Sequence, residues 1–309
     1  MSRDGSPTSG STAGLVLACI APHGDLAIPE ACPREAVGLA SATQAGMRAL
    51  ARRLVDADPD VVVVLTPHGV HVEGHFAVVV AGRLAGALEE APAVALDVPT
   101  DRDLALATVD ELRLAGLPVT GVSYGGNDAA EAVMPLDWGT LIPLWYLGGR
   151  RRPPRPVVAV VPARDLPVEA HLDAGRAIAR AVGRMGRHAA LVASADQSHT
   201  HRASGPYGFD AGARTFDDLV VAMVRDGRLV ELPGIDRELV EAAKPDGWWQ
   251  MLMLLGATGG AWRPTLHSYE APTYYGMLCA SLDPPEPAAS SIGDQAGRPS
   301  GTRPVRPAR

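Results

Sequence analysis

Residues 61–69 read Val-Val-Val-Val-Leu-Thr-Pro-His-Gly, and residues 15–24 read Leu-Val-Leu-Ala-Cys-Ile-Ala-Pro-His-Gly. Each is an apolar run of strand length that ends in Pro-His-Gly. A strand with one wet face would alternate polar and apolar side chains, whereas these runs are apolar throughout and predict strands covered on both faces. Runs of the same kind follow at 76–81, 119–122, 157–161 and 190–193. Between and after them, apolar positions recur at helical spacing over residues 34–57 (Leu39, Met47, Leu50, Leu54), 101–115, 168–185, 211–224 and 247–257. This alternation predicts an α/β fold: a single three-layer domain with a largely parallel or mixed central sheet flanked by helices.

The chain has 309 residues, 47% of them apolar, enough for a sizeable core. Its 28 basic and 35 acidic residues give a net charge of -7 without long like-charge blocks, which argues against an electrostatic grip on nucleic acid. The three cysteines, Cys19, Cys32 and Cys279, are widely spaced and form no CxxC, so neither a disulfide framework nor a thiolate zinc site is expected, and the chain reads as cytoplasmic. Val16-Leu17-Ala18-Cys19 has the look of a lipoprotein cleavage site, but its apolar run is about five residues against the roughly 7–15 of a secretory segment. No stretch approaches the roughly 18 apolar residues of a membrane span. Residues 1–12 and 284–309 are rich in Pro, Gly and Ser and poor in large apolar side chains, which predicts disordered tails around a folded unit over 13–283.

In such sheets ligands bind beyond the carboxyl ends of the strands. That rule selects His23 and His68, which close the two opening runs, and His199, which follows the run at 190–193. Two imidazoles on one rim begin a divalent metal site, and a carboxylate is needed to complete a two-His, one-carboxylate set. Glu270, inside the aromatic-rich His267–Met277 segment, is the candidate; the alternative for it is a solvated glutamate before a turn. His201 competes for the role of His199. His71 and His75 have the i,i+4 spacing of a zinc-binding helix, but as strand residues they would lie about 13 Å apart. His171 and His188 read as surface residues. With no GxSxG, Walker loop or GxGxxG, the commonest serine hydrolase, P-loop and dinucleotide-binding readings fall away.

Ala21-Pro22-His23-Gly24, Thr66-Pro67-His68-Gly69, residues 136–144 (LDWGTLIPL), residues 194–199 (SADQSH) and Tyr269-Glu270 occur in the order seen in class III extradiol ring-cleavage dioxygenases. Over about residues 14–282 the chain resembles the catalytic beta subunit of protocatechuate 4,5-dioxygenase. The resemblance implies a mixed α/β sandwich, non-haem Fe(II), His23, His68 and Glu270 as its ligands, and His199 as the acid/base histidine. Many members carry Asp-His-Gly where this chain has Asp137-Trp138-Gly139, so a second active-site histidine is replaced by an indole with one N–H donor.

The implied activity is extradiol cleavage of a catecholic substrate by dioxygen, giving a ring-opened semialdehyde. Two alternatives use the same residues: a Zn(II)-dependent hydrolase with a metal-bound water, and a non-catalytic binding protein on the same fold. The expected partners are a catecholic small molecule and dioxygen, with no nucleic acid and no membrane; a homo-oligomer and a small partner subunit are both compatible with the chain.

Overall fold

The computed structural model describes residues 13–286. The expected tails, 1–12 and 284–309, lie outside the described residues except for Pro284–Glu286.

The chain opens with β1 (Gly14–Ala21), three single 3-10 turns and helix α1 (Ser41–Ala57), followed by β2 (Val61–Leu65) and β3 (Phe76–Val79). A small sheet is laid down next by β4 (Arg83–Ala87), β5 (Ala95–Pro99) and, after α2 (Arg102–Leu114) and β6 (Val119–Val122), by β7 (Val133–Pro135). Helix α3 (Trp138–Tyr146), β8 (Val157–Val161), α4 (Val168–Arg184) and β9 (His188–Ser194) follow. The last part comprises α5 (Gly212–Arg225), α6 (Arg237–Ala243), α7 (Trp248–Thr258) and the hairpin β10 (Arg263–Glu270) and β11 (Met277–Asp283).

The main sheet has eight strands in the order β10-β11-β1-β9-β2-β8-β3-β6. Its centre, β1-β9-β2-β8, is parallel, while β11 joins β1 antiparallel and β3 joins β8 antiparallel, so the sheet is mixed. Strand β2 explains why the runs are apolar throughout. Val61, Val63 and Leu65 enter the core under α2, α4, α5 and α7, whereas Val62 and Val64 face the other core, with Met47, Leu50 and Leu54 of α1 and Leu141 and Leu144 of α3. All five are fully buried, and each such side chain contributes about 1.5–3 kcal/mol relative to exposure. Helices on both faces make the three layers. Among the described residues no helix is long and apolar enough to cross a membrane.

Two helices illustrate where the fold departs from the sequence expectation. The helix expected over 34–57 begins only at Ser41, because Gly38 adopts φ +87, outside the right-handed helical region, and Pro29 and Pro33 break the preceding segment into single turns. The other is α3, which no periodicity marks: it is one short apolar stretch with Pro143 inside it, started by Asp137, whose carboxylate accepts the Thr140 N–H and hydroxyl.

Candidate metal centre

The adjacent parallel strands β1, β9 and β2 end at one rim, and the segments leaving them carry His23, His199 and His68. His23 is 2% exposed. Its backbone N–H donates to Asp196 Oδ1 at 3.0 Å. The Ser194 hydroxyl donates to the Gly139 carbonyl, so its oxygen is left to accept from His23 Nδ1 at 3.0 Å. That arrangement orients the ring and directs Nε2 into the rim. There it lies 3.2 Å from His68 Nε2, with the two rings edge to face. His68 in turn packs against the Trp138 indole, ring centres 4.1 Å apart.

The carboxylate beside these imidazoles is Asp246, not Glu270. Asp246 Oδ2 lies 3.0 Å from His23 Nε2, 3.7 Å from His68 Nε2 and 3.9 Å from His199 Nε2. His23, His68 and Asp246 are the one described group of at least three potential ligands whose donor atoms all fall within 4.8 Å of one another. Glu270 sits at the end of β10, where its Oε1 accepts the Thr43 N–H at 2.6 Å. It satisfies one of the free N–H groups in the first turn of α1, at the positive end of the helix dipole. The expectation for Glu270 is corrected accordingly: its charge is compensated by a helix terminus rather than brought to the histidines.

Asp246 reaches the rim because its turn, Lys244-Pro245-Asp246-Gly247, is fastened to the segment after β9. His199 donates its backbone N–H to Ala243, and Gly247 donates to the Asp196 carbonyl at 3.1 Å. The turn lies so close that a Cβ on Gly247 would stand 2.4 Å from Ala195 Cβ. Gly247→Ala should therefore push Asp246 off the rim. The expected result is a folded protein destabilised by about 1–3 kcal/mol with weakened metal binding, read by thermal melts and metal titration. Sequence reading passed over Asp246 because a Pro-Asp-Gly turn is common; its one signal was a position just before an apolar helix.

His199 donates from Nδ1 to the Gln197 carbonyl at 2.9 Å, which leaves Nε2 as a lone-pair acceptor on the cavity side. Its ring stacks on Tyr275 at 5.6 Å. His201 turns away, with Nε2 2.7 Å from the buried Asp217, and so does not compete for the cavity. His267 bonds the Ser281 hydroxyl, and His71 and His75 are exposed. His171 corrects the surface expectation: it is fully buried against Phe76, its Nδ1 donating to Pro167. Cys19 and Cys279 are buried and unpaired, and burial raises both thiols, as packed side chains rather than nucleophiles.

Charge in the rim is unevenly held. Burial pushes the His23 imidazole down, but the Asp196 and Asp246 carboxylates outweigh it and raise it to about 9. Burial, then the His23 charge, depresses His68 to about 3. In the metal-free protein His23 thus keeps a proton on Nε2 at neutral pH, between Asp246 and His68, where an ion would bind. A folded value above the ordinary 6.5 means that this imidazolium stabilises the fold fully below 6.5 and that its contribution is lost as pH rises through about 9. Metal uptake must displace the proton. Apparent metal affinity should rise about tenfold per pH unit up to about 9, with one proton released per ion, measurable by calorimetry in buffers of different ionisation enthalpy.

A cavity of about 740 Å³ opens above these groups, bounded by Trp138, Arg164, Tyr207, Lys244, Trp249 and Tyr274 among others. Residues 17–278 match the family model described as the catalytic LigB subunit of aromatic ring-opening dioxygenase. The chain belongs to the LigB family. A curated relative, Protein CA_C1420 of Clostridium acetobutylicum, is 23% identical over 252 residues, covering 81% of this chain and 53% of the relative. The chain thus spans about half the length of that protein. The crystal structure of uncharacterized protein JW3007 from Escherichia coli K12 superposes with a TM-score of 0.58 at 19% identity, covering 86% of this chain and 99% of that one, which supports the shared fold. The family model is described as a catalytic subunit, and in this chain His23, His68 and Asp246 form a group that could hold a metal ion.

The donor set suits a divalent ion. Two ligand atoms each about 2.1 Å from one ion lie roughly 3–3.5 Å apart, close to the spacings among His23, His68 and Asp246. Asp246 Oδ1 is buried without a hydrogen-bond partner, an unmet valence that a cation would satisfy.

Proposed function

We propose that this LigB-family protein is a non-haem Fe(II)-dependent extradiol dioxygenase that opens a catecholic ring with dioxygen and releases a semialdehyde. The observation that carries the reading is the convergence of His23 Nε2, His68 Nε2 and Asp246 Oδ2 on the cavity floor, with the His199 lone pair beside them. Bound Fe(II) would supply open coordination positions for both catechol oxygens and for dioxygen, and a path for electrons between them. His23, His68 and Asp246 would hold it on one face.

His199 is the proton carrier in this proposal. Its Nε2 accepts a catechol hydroxyl proton as the ring binds and returns it during ring opening, while Nδ1 stays committed to Gln197. Tyr275, stacked on the imidazole, restricts its rotation. Trp138 covers the outer side of His68, which leaves the His199 side for the substrate ring. Two cations at the cavity, Arg164 and Lys244, have no carboxylate partner among the described residues. Arg164 is held by the Pro67 carbonyl and the Trp249 ring, and Lys244 is the only lysine in the chain. They favour a catechol with an anionic substituent.

The test is anaerobic loading with Fe(II), then oxygen uptake with a panel of neutral and carboxylated catechols. Stoichiometric uptake with the yellow absorbance of a ring-opened product supports the assignment. No uptake with any catechol, or tightly held zinc with ester or amide hydrolysis in the natively purified protein, would sink it.

A further inference from the structure

Asp217 on α5 is fully buried and far in sequence from the metal centre, yet it gathers four hydrogen bonds. Oδ1 accepts the Ser198 N–H at 2.9 Å and the Ser198 hydroxyl at 2.5 Å. Oδ2 accepts His201 Nε2 at 2.7 Å and the Tyr269 hydroxyl at 2.6 Å. Burial, then the Asp217 charge, pushes the Tyr269 hydroxyl well above its ordinary range, so it remains a donor. None of these side chains borders the cavity.

The four bonds bracket His199. Ser198 precedes it and His201 follows two residues later, so one buried carboxylate ties down the backbone on both sides of the imidazole. The same segment is laced to residues 274–276: Gln197 donates to the Gly276 carbonyl, Gly276 to Ser198, and His201 to Tyr274. Those residues carry Tyr274 and Tyr275, whose rings pack on His199 at 5.9 and 5.6 Å. Tyr269, from β10, adds a third element to the clamp.

Resting on the reading of His199 as the proton carrier, we infer that Asp217 is a positioning residue: with His201 and Tyr269 it sets the orientation of the His199 ring. No ligand side chain belongs to this cluster; the clamped segment meets the Asp246 side through hydrogen bonds to the Ala242 and Ala243 carbonyls and from the Gly247 N–H, so metal binding is read separately from the orientation of the His199 ring. A misplacement of about 1 Å can cost on the order of 100-fold in rate. Loosening the clamp should lower kcat and leave both KM and metal affinity nearly unchanged.

The experiment compares wild type with Asp217→Asn, Tyr269→Phe and Ser198→Ala as full chains loaded with metal. Four readouts are metal stoichiometry, kcat and KM on a catechol, the pH profile of kcat, and the imidazole ¹H–¹⁵N resonances of His199. Asp217→Asn should bind one ion, shift the His199 resonances, displace the pH limb due to His199 and lower kcat about 10–100-fold. Tyr269→Phe, which deletes one bond and keeps the carboxylate, should move each readout the same way by less. Should Asp217→Asn not fold, the two milder variants carry the test alone. Unchanged His199 resonances in all folded variants, or metal loss in parallel with the resonance shift, would overturn the inference. Because the resonances are read without turnover, a protein that cleaves no catechol still tests the clamp.

Discussion

Asp246→Ala should abolish stoichiometric metal binding, whereas Glu270→Gln should bind one ion per chain with affinity close to wild type. Asp246 presents the only carboxylate oxygen within reach of both His23 Nε2 and His68 Nε2 among the described ligand groups. Its removal leaves two imidazoles, one of which loses the carboxylate that helps hold its charge. Losing even an outer-shell partner typically costs about 10–100-fold in metal affinity, and loss of a direct ligand should exceed that. Glu270→Gln keeps a side-chain oxygen able to accept the Thr43 N–H, so its cost should fall on α1, within about 0.5–2 kcal/mol of stability. Equilibrium titration with Fe(II) or Zn(II) and elemental analysis of dialysed protein read the two variants directly. Retention of a full equivalent of metal by Asp246→Ala would remove the assigned centre.

His199→Ala should keep its metal and lose most of its turnover. The imidazole is 3.9 Å from Asp246 at its nearest recorded ligand approach, and its Nδ1 is spent on the Gln197 carbonyl, so it is not needed to complete the ligand set. A positioned acid/base contributes about 10²–10⁴ in rate, and kcat for oxygen uptake should fall within that span. KM for the catechol should move little, since the cations at the cavity remain. His199→Gln, which keeps an acceptor without a titrating ring, should recover binding geometry but not rate. A variant with wild-type kcat would assign the proton transfer elsewhere.

The central strands were legible because burial on both faces leaves an unbroken apolar run, as in Val61–Leu65 and Val157–Val161. His23 and His68 were legible for a related reason: a parallel strand delivers whatever follows it to the ligand-binding rim, and the duplicated Pro-His-Gly sits at that place in two neighbouring segments. The carboxylate was not. A turn between α6 and α7 reaches the rim through hydrogen bonds to residues some 50 positions earlier, His199 and Asp196, and no local pattern encodes such a contact. Glu270 drew attention because a charge among tyrosines looks costly to bury; the helix that compensates it begins at residue 41, equally invisible from its own neighbourhood. The hairpin β10–β11 also escaped notice, since β10 is half exposed and mixes polar with apolar side chains along its length.

The order of strands bears on how the chain is made. Strand β1 precedes both of its sheet neighbours by a long stretch of chain, since β9 lies at residues 188–194 and β11 at 277–283. At ordinary elongation rates the gap lasts on the order of tens of seconds, during which an apolar strand has both edges open. Because Asp246 follows His68 by 178 residues, no nascent chain shorter than that span holds the full ligand set. Metal capture thus waits for the turn that carries Asp246, and the open edges of β1 need shelter from aggregation until β9 and the β10–β11 hairpin arrive.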